Sequence, residues 1–279
     1  QLYKGIDDPD ISIQVNLRGF VMFQLQSQFP HIKSKVDTVN ETKVIDAYSY
    51  LNDIGSFDIV SAQRQFSEYD QIVLFTRYAL YLQGKSVRGI SLKGRICDPG
   101  DRVQVTISSD YFATTSVAAH ELGHSLGASH DGEDDANGCK AEDQFIMTQF
   151  LPVFRPSQKY SRKPWQFSNC SVEAFKKLLA TKQCLTTTAD YNPGDVDEWN
   201  KFMKKLPGKK YTPSMQCHMI NGPGSTYCGS AREASCRLMY CTNPKTKQCT
   251  MGPFVAAPGT VCGKHMWCIQ GECVRNDTK

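Results

Sequence analysis

The 279-residue chain lacks several features that would place it in other classes of protein. It has no apolar run long enough to cross a membrane. A net charge of only +4 at pH 7 does not suggest a protein that binds nucleic acid. No RGD sequence is present, so nothing predicts integrin binding. The first residue is not methionine and no hydrophobic leader follows it, so we expect a processed or truncated product.

The chain has twelve cysteines, but no two of them form a CxxC pair. Zinc sites built from cysteine prefer that spacing, so we favour disulfide bonds formed in an oxidising compartment over such sites. Four cysteines lie in residues 1–190 and eight in residues 217–279. This distribution predicts a larger domain followed by a small module held mainly by disulfides. The sequons at Asn40 and Asn276 are candidates for glycosylation in a secreted, extracellular protein.

The stretch HELGHSLGASH, which begins at His120, is the most informative part of the sequence. His120 and His124 share one face of an α-helix and can bind a common metal ion. Gly127 can adopt the left-handed conformation that ends a helix, which brings His130 back as a third ligand. Three neutral imidazoles leave one tetrahedral position for water, as in a catalytic zinc site. Glu121 is not needed as a ligand and is placed to take a proton from that water.

A bare HExxH arises by chance in unrelated proteins, where surface histidines on a helix are the simpler explanation. Here Gly127 and His130 coincide with it, and the run before His120 contains no glycine or proline. Ser109 or Asp110 could cap that helix. We therefore favour a zinc site over unliganded histidines.

Hydrophobic patterns predict strands interleaved with helices in the first part of the chain, and hence an α/β domain. Strands are predicted at residues 11–23, 71–75 and 102–107, the second as a buried strand and the third as an edge strand. Helices are predicted from Val44 to Ile54 and from Ser171, as N-cap, to Lys182.

The full motif is the metzincin signature, and the chain resembles the reprolysin (adamalysin) branch, in which an aspartate, here Asp131, follows the third histidine. The likeness is closest to the ADAMTS type. Met147 occupies the place of the methionine turn, and the segment from Trp165 is similar to the W-S-x-C-S stretch of that type. Residues 217–274 resemble its disintegrin-like module, including the eight-cysteine spacing. Short secreted proteins of this kind are similar to salivary metalloproteases of blood-feeding arthropods such as ticks.

The resemblance implies a metzincin zinc-protease domain in residues 1–189, with a twisted mixed sheet and an active-site helix. A linker in residues 190–216 and a disintegrin-like module in residues 217–279 would follow. The family's first strand and long helix have no counterpart before Ile11, so we expect an incomplete N-terminus.

The resemblance also implies ligands and cross-links that the spacing alone leaves open. Asp70 and the carbonyl of Cys184 match two ligand positions of the family's Ca²⁺ site, whereas its N-terminal carboxylate has no counterpart. Met147 would pack beneath the zinc without touching it. The implied disulfides are Cys97–Cys184, Cys139–Cys170, Cys217–Cys241, Cys228–Cys249, Cys236–Cys268 and Cys262–Cys273.

These features predict a secreted Zn²⁺-dependent endopeptidase that cleaves matrix or haemostatic proteins, with Glu121 as general base. The substrate is expected to pair as a strand with residues 102–107. The turn at residues 148–155 is expected to wall the pocket for the side chain after the cut. The alternative is a secreted, disulfide-rich adhesion protein with proteolysis secondary, which the intact motif disfavours.

The expected partners are extracellular protein substrates, and the chain is expected to be a monomer. Five lysines could contact glycosaminoglycans or an acidic partner, although a solvated linker gives the same pattern and is favoured. They are Lys201, Lys204, Lys205, Lys209 and Lys210.

Overall fold

The computed structural model describes residues 6, 8–22, 36–39, 41–61, 68–108, 111–150, 162–186, 206–229, 236–251 and 255–275. The chain divides into two compact units. The larger unit comprises residues 1–108, 114–151 and 163–187, and the smaller consists chiefly of residues 188–279. Within the described ranges, no helix is both long and apolar enough to cross a membrane.

In the described part of the larger unit there are seven strands and three α-helices. The strands are β1 (Val36–Val39), β2 (Thr42–Asp46), β3 (Ile72–Thr76), β4 (Ala79–Leu82), β5 (Lys85–Val87), β6 (Gly89–Ser91) and β7 (Val103–Ile107). The helices are α1 (Ala47–Ser61), α2 (Tyr111–Ser125) and α3 (Asn169–Leu179). The strands form two sheets, in the orders β1-β2-β4-β5 and β3-β7-β6. Both sheets contain parallel and antiparallel pairs, which agrees with the mixed α/β architecture expected from the sequence.

The predicted roles of the strands at residues 71–75 and 102–107 are exchanged in the structure. β7 is not an edge strand, because it pairs in parallel with β3 on one side and antiparallel with β6 on the other. Its polar residue Gln104 does not face solvent but donates a hydrogen bond to the carbonyl of Ala118 in α2. β3 lies at one edge of this sheet instead, and Val73 and Phe75 are 40% and 50% exposed.

Three other sequence predictions about the helices and strands are wrong. Val44 lies in β2, so the first helix begins at Ala47 and not before it. Residues 11–22 contain no strand. The N-cap of α3 is Ser168, whose hydroxyl accepts a hydrogen bond from the backbone N–H of Ser171. Both serines suit the start of a helix, and the local pattern could not separate them.

A buried ion pair joins α1 to the beginning of β7. The guanidinium of Arg102 donates to both carboxylate oxygens of Asp58, at 3.1 and 3.0 Å, and the two side chains are 4% and 0% exposed. The backbone N–H of Gly100 donates to the same carboxylate at 2.7 Å. This pair fixes one end of β7 against the helix that covers the sheet.

The smaller unit is a set of short elements around a core of cysteines. Its helices are α4 (Pro207–Lys210) and α5 (Pro213–Asn221), and its strands are β8 (Tyr240–Thr242), β9 (Cys249–Met251), β10 (Val261–Gly263), β11 (Met266–Ile269) and β12 (Glu272–Arg275). Helix α5 runs through the position at which the sequence analysis places the end of the linker. Residues 190–205 of that linker lie outside the described residues.

All twelve cysteines are paired, in the same combinations that the resemblance implies. Two bonds lie in the larger unit, Cys97–Cys184 and Cys139–Cys170. Four lie in the smaller unit: Cys217–Cys241, Cys228–Cys249, Cys236–Cys268 and Cys262–Cys273. Disulfides stabilise a fold by limiting the freedom of the unfolded chain. Because the helices and strands of this unit are short, we expect its four cross-links to supply much of its stability.

Candidate metal centre

Helix α2 and the turn after it bring the three motif histidines together. His120 and His124 lie one helical turn apart, with ring centroids separated by 4.7 Å. Gly127 has a φ of 97°, and its N–H donates to the carbonyl of His124 at 2.8 Å. The chain therefore reverses after α2, and the ring of His130 returns to 4.7 Å from that of His124. The structure assembles all three predicted ligands.

The hydrogen bonds of the three rings fix which nitrogen of each faces the centre. Nδ1 of His120 lies 2.8 Å from the carbonyl oxygen of Ile146, and Nδ1 of His124 lies 2.8 Å from that of Ala128. A carbonyl oxygen only accepts, so each Nδ1 carries the proton and donates it. Nδ1 of His130 likewise donates to an acceptor, a carboxylate at 3.0 Å. Each Nε2 is therefore left with a lone pair.

These lone pairs give the geometric test of the zinc that the motif implies. Nε2 of His124 and Nε2 of His130 are only 3.2 Å apart, and in neutral rings with the proton on Nδ1 neither Nε2 can donate to the other. One nitrogen from each of the three rings lies within 4.8 Å of the other two. Nitrogens bound to one tetrahedral zinc at about 2.0–2.1 Å are themselves about 3.3 Å apart. The arrangement of the three nitrogens fits a zinc ion.

Burial keeps two of the ligands neutral at physiological pH. Removal from water lowers the pKa of His120 to about 3, and the nearby His124 lowers it as well. Burial lowers the pKa of His124 to about 4. A metal ligand must be unprotonated, so these two rings are ready to bind without first losing a proton.

Glu121 lies on the same helix but is turned toward β6. Its side chain is buried, and burial raises its pKa to about 8. The hydroxyl of Ser91 donates to its Oε2 at 2.9 Å, which opposes that rise. A Cβ on Gly89 would lie 2.5 Å from its Oε1, so only glycine leaves room for the carboxyl group. The carboxyl group thus has a fixed position and is not needed to complete the metal site.

Met147 lies in the core beneath α2. It is fully buried, and a Cβ on Gly123 would lie 2.5 Å from its sulfur. Its carbonyl accepts from the N–H of Asp131 at 2.9 Å. The carboxyl of Asp131 in turn accepts from the hydroxyl of Ser168, and burial raises its pKa. The carbonyl of Ile146, directly before Met147, accepts from Nδ1 of His120. The loop that carries Met147 is therefore bonded both to the first ligand and to the residue after the third ligand.

The predicted Ca²⁺ site lies partly in the described residues, and the predicted glycosylation sites lie outside them. A carboxylate oxygen of Asp70 lies within 4.8 Å of both sulfurs of the Cys97–Cys184 disulfide. Sulfurs in a disulfide are not ligands for a hard cation, so the Ca²⁺ site stays a prediction. The glycosylation candidates Asn40 and Asn276 lie outside the described residues.

The pocket wall and the lysine cluster are described only in part. Phe150 is 74% exposed, and residues 151–155 lie outside the described part of the chain, as do Lys201, Lys204 and Lys205. Nζ of Lys209 lies 4.1 Å from the ring centroid of Trp267, a cation–π contact within the smaller unit. At least this lysine is therefore packed on an aromatic ring, and not only solvated.

Sequence reasoning missed two residues that shape the site, Gly89 and Ser91. Both lie about thirty positions before Glu121 and approach it only through the sheet. No local spacing signals such a contact.

Two family models match the chain. The Reprolysin (M12B) family zinc metalloprotease model covers residues 44–188, and the ADAMTS cysteine-rich domain 2 model covers residues 207–274. The second match describes as cysteine-rich the module that the sequence analysis compares to a disintegrin.

Curated relatives carry related descriptions. The chain is 31% identical over 219 residues to human "A disintegrin and metalloproteinase with thrombospondin motifs 20", an alignment that covers 76% of this chain and 11% of the relative. It is 27% identical over 294 aligned positions to "A disintegrin and metalloproteinase with thrombospondin motifs like" of Bombyx mori, which covers 98% of this chain and 39% of the relative. Human "A disintegrin and metalloproteinase with thrombospondin motifs 1" is 31% identical, with 76% and 21% covered. The chain thus spans well under half the length of these relatives.

Proposed function

Because the chain belongs to the reprolysin (M12B) family of zinc metalloproteases and carries an ADAMTS-type cysteine-rich module, we propose that it is a secreted endopeptidase that cleaves extracellular proteins of the matrix or of haemostasis. One observation carries this proposal. One nitrogen from each of the three imidazoles lies within 4.8 Å of the other two, and Glu121, the residue next to the first ligand, has a buried carboxyl group that is not itself one of the ligands. Monomeric state, contacts with glycosaminoglycans and a likeness to arthropod salivary enzymes stay predictions.

The residues of the chain divide the work of hydrolysis. His120, His124 and His130 would hold the zinc ion, which supplies a Lewis acid that activates water and polarises the scissile carbonyl. Glu121 accepts a proton from the attacking water and delivers it to the leaving amine. Its raised pKa suits both directions of transfer, and a cation held by the histidines would favour its ionised form.

The open edge of the sheet offers a place for the substrate backbone. The N–H of Ile107 in β7 donates to the carbonyl of Arg88, the residue before β6. In an antiparallel pair every second residue bonds to the partner strand, so the backbone groups of Arg88 and Ile90 point toward β7. Those of Gly89 and Ser91 then point outward. Among the described strands, none pairs with this side of β6. We therefore propose that the substrate adds as a strand to β6. Residues 102–107 are not suited to this role, because β7 is already paired on both sides.

Exchange of Gly89 for alanine is expected to lower kcat for peptide hydrolysis by about 10²-fold, because the new Cβ displaces the carboxyl group of Glu121 from its position. Gly89 does not have a left-handed φ, so the exchange adds no backbone strain of that kind. Steady-state kinetics and zinc content of the purified variant measure the effect. Gly138→Ala is the matched control, since a Cβ there meets nothing within 4 Å. Equal kcat in the two variants would contradict the placement of Glu121.

Removal and return of zinc tests the proposed function itself. The purified chain is incubated with a peptide library derived from extracellular proteins, before and after chelation and again after zinc is restored. We expect cleavage that chelation abolishes and zinc restores, and the cleavage sites give the side-chain preference. If the zinc-loaded chain cleaves nothing but binds matrix or clotting proteins after chelation, the adhesion alternative holds and the protease proposal is wrong.

A further inference from the structure

The third histidine ligand is held differently from the other two. Nδ1 of His120 and Nδ1 of His124 each donate to a backbone carbonyl, at 2.8 Å in both cases. Nδ1 of His130 donates to a side chain, the carboxylate of Glu133, at 3.0 Å. A backbone carbonyl is present whatever the sequence, whereas a carboxylate depends on one residue. His130 is therefore the ligand whose orientation a single substitution can release.

The backbone places Glu133 for this contact. Its N–H donates to the carbonyl of His130 at 3.1 Å, which closes a four-residue turn. Its own carbonyl accepts from the N–H of Ala136 at 2.8 Å, at the start of a short 3₁₀ helix, Asp134–Ala136. Because the backbone N–H and carbonyl of Glu133 are both hydrogen-bonded, its Cα is held in place and its side chain extends from a fixed position near the ring of His130.

The neighbouring acids have other positions. Asp135 forms an ion pair with Lys93 at 3.0 Å, in which Nζ of the lysine also bonds to the hydroxyl of Ser129. Asp131 turns inward to Ser168. Of the acidic residues that follow the third ligand, Glu133 is the one whose carboxylate reaches an imidazole.

We propose that Glu133 is a positioning residue for the metal ligand His130, an inference that rests on the zinc site proposed above. Its carboxylate keeps the proton on Nδ1, so the lone pair of Nε2 faces the metal. The negative charge also makes the imidazole a stronger donor to the metal. The side chains of His130 and Glu133 are 26% and 48% exposed, so water competes for this bond and the third ligand is the one most readily released.

Zinc affinity tests the proposal without any measurement of proteolysis. The full chain and the variants Glu133→Ala and Glu133→Gln are titrated with zinc in competition with a chromogenic chelator. We expect Glu133→Ala to weaken zinc binding by about 10- to 100-fold, which is usual for loss of such a partner. Glu133→Gln keeps an acceptor oxygen but no charge, so its loss should be smaller than that of the alanine variant.

Asp134→Asn is the matched control. It removes the same charge from the adjacent exposed position, and asparagine tolerates the left-handed backbone there, where φ is 45°. We expect it to bind zinc as the unaltered chain does, and the melting temperature of the zinc-free protein to be the same for all variants.

Three results would overturn the inference. Unchanged zinc affinity in Glu133→Ala would show that His130 needs no carboxylate. An equal loss in Asp134→Asn would show a general effect of charge, and weaker zinc binding in Glu133→Ala together with a lower melting temperature of its zinc-free form would show a purely structural role. Failure of the unaltered chain to bind zinc would overturn the proposed function together with this inference, which distinguishes the two failures.

Discussion

Exchange of Glu121 for glutamine is expected to lower kcat for peptide hydrolysis by about 10²- to 10⁴-fold, the range usual for loss of a general acid–base group. Glutamine has nearly the same shape and can still accept the hydrogen bond from Ser91, but its amide cannot take a proton from water. The three histidine ligands are untouched. Zinc content should therefore stay at one ion per chain while turnover collapses.

Glu142→Gln is the control for this experiment, because Glu142 is exposed and lies outside the site. Its kcat and zinc content should equal those of the unaltered chain. Hydrolysis that survives in the Glu121 variant would show that another group is the base. Loss of zinc from that variant would show instead that the carboxylate helps to hold the metal.

Exchange of Asp58 for alanine is expected to reduce the free energy of unfolding of the larger unit by about 3–5 kcal/mol, because it leaves the guanidinium of Arg102 buried without its carboxylate. Gly100 loses an acceptor at the same time. A domain is typically stable by only about 5–15 kcal/mol, so the variant should unfold at much lower urea concentration. Circular dichroism over a urea titration measures the shift of the midpoint.

The double variant Asp58→Leu, Arg102→Met separates the ion pair from simple loss of packing. Removing both charges leaves no unpaired ion in the core, so the double variant should lose less stability than Asp58→Ala. The single variants Asp58→Leu and Arg102→Met complete the cycle, and if the loss in the double variant equals the sum of their two losses, the pair is not coupled and the assignment of the effect to buried charge is wrong.

The local part of the site follows from the sequence because its geometry is set by neighbouring residues. Four-residue spacing on a helix places His120 and His124 on one face, and Gly127 permits the reversal that returns His130. The contact of Glu133 with His130 also spans only three positions. An acidic residue at that spacing after a ligand is a signal that the sequence contains and that sequence reasoning did not use.

The non-local part does not follow in the same way. Alternating residues at 102–107 predict one buried face, yet both faces of β7 are covered, since Gln104 faces α2 and Val105 faces the core around α1. An alternating pattern shows which residues are polar, but it does not show which part of the fold covers each face of the strand. The contacts of Glu121 with Gly89 and Ser91 depend on the same unpredicted sheet order. The cysteine pairs were available only through the resemblance to a family.

The packing of Met147 has a consequence for resistance to oxidants. Thioether sulfur is oxidised where reagents can reach it, and a sulfoxide adds a polar oxygen that needs space. The sulfur of Met147 has no exposure and sits against Gly123, so neither access nor space is available. Met22 and Met219, by contrast, are 67% and 65% exposed. In a peroxide-rich environment the surface thioethers react first, and the support beneath the metal ligands outlasts them.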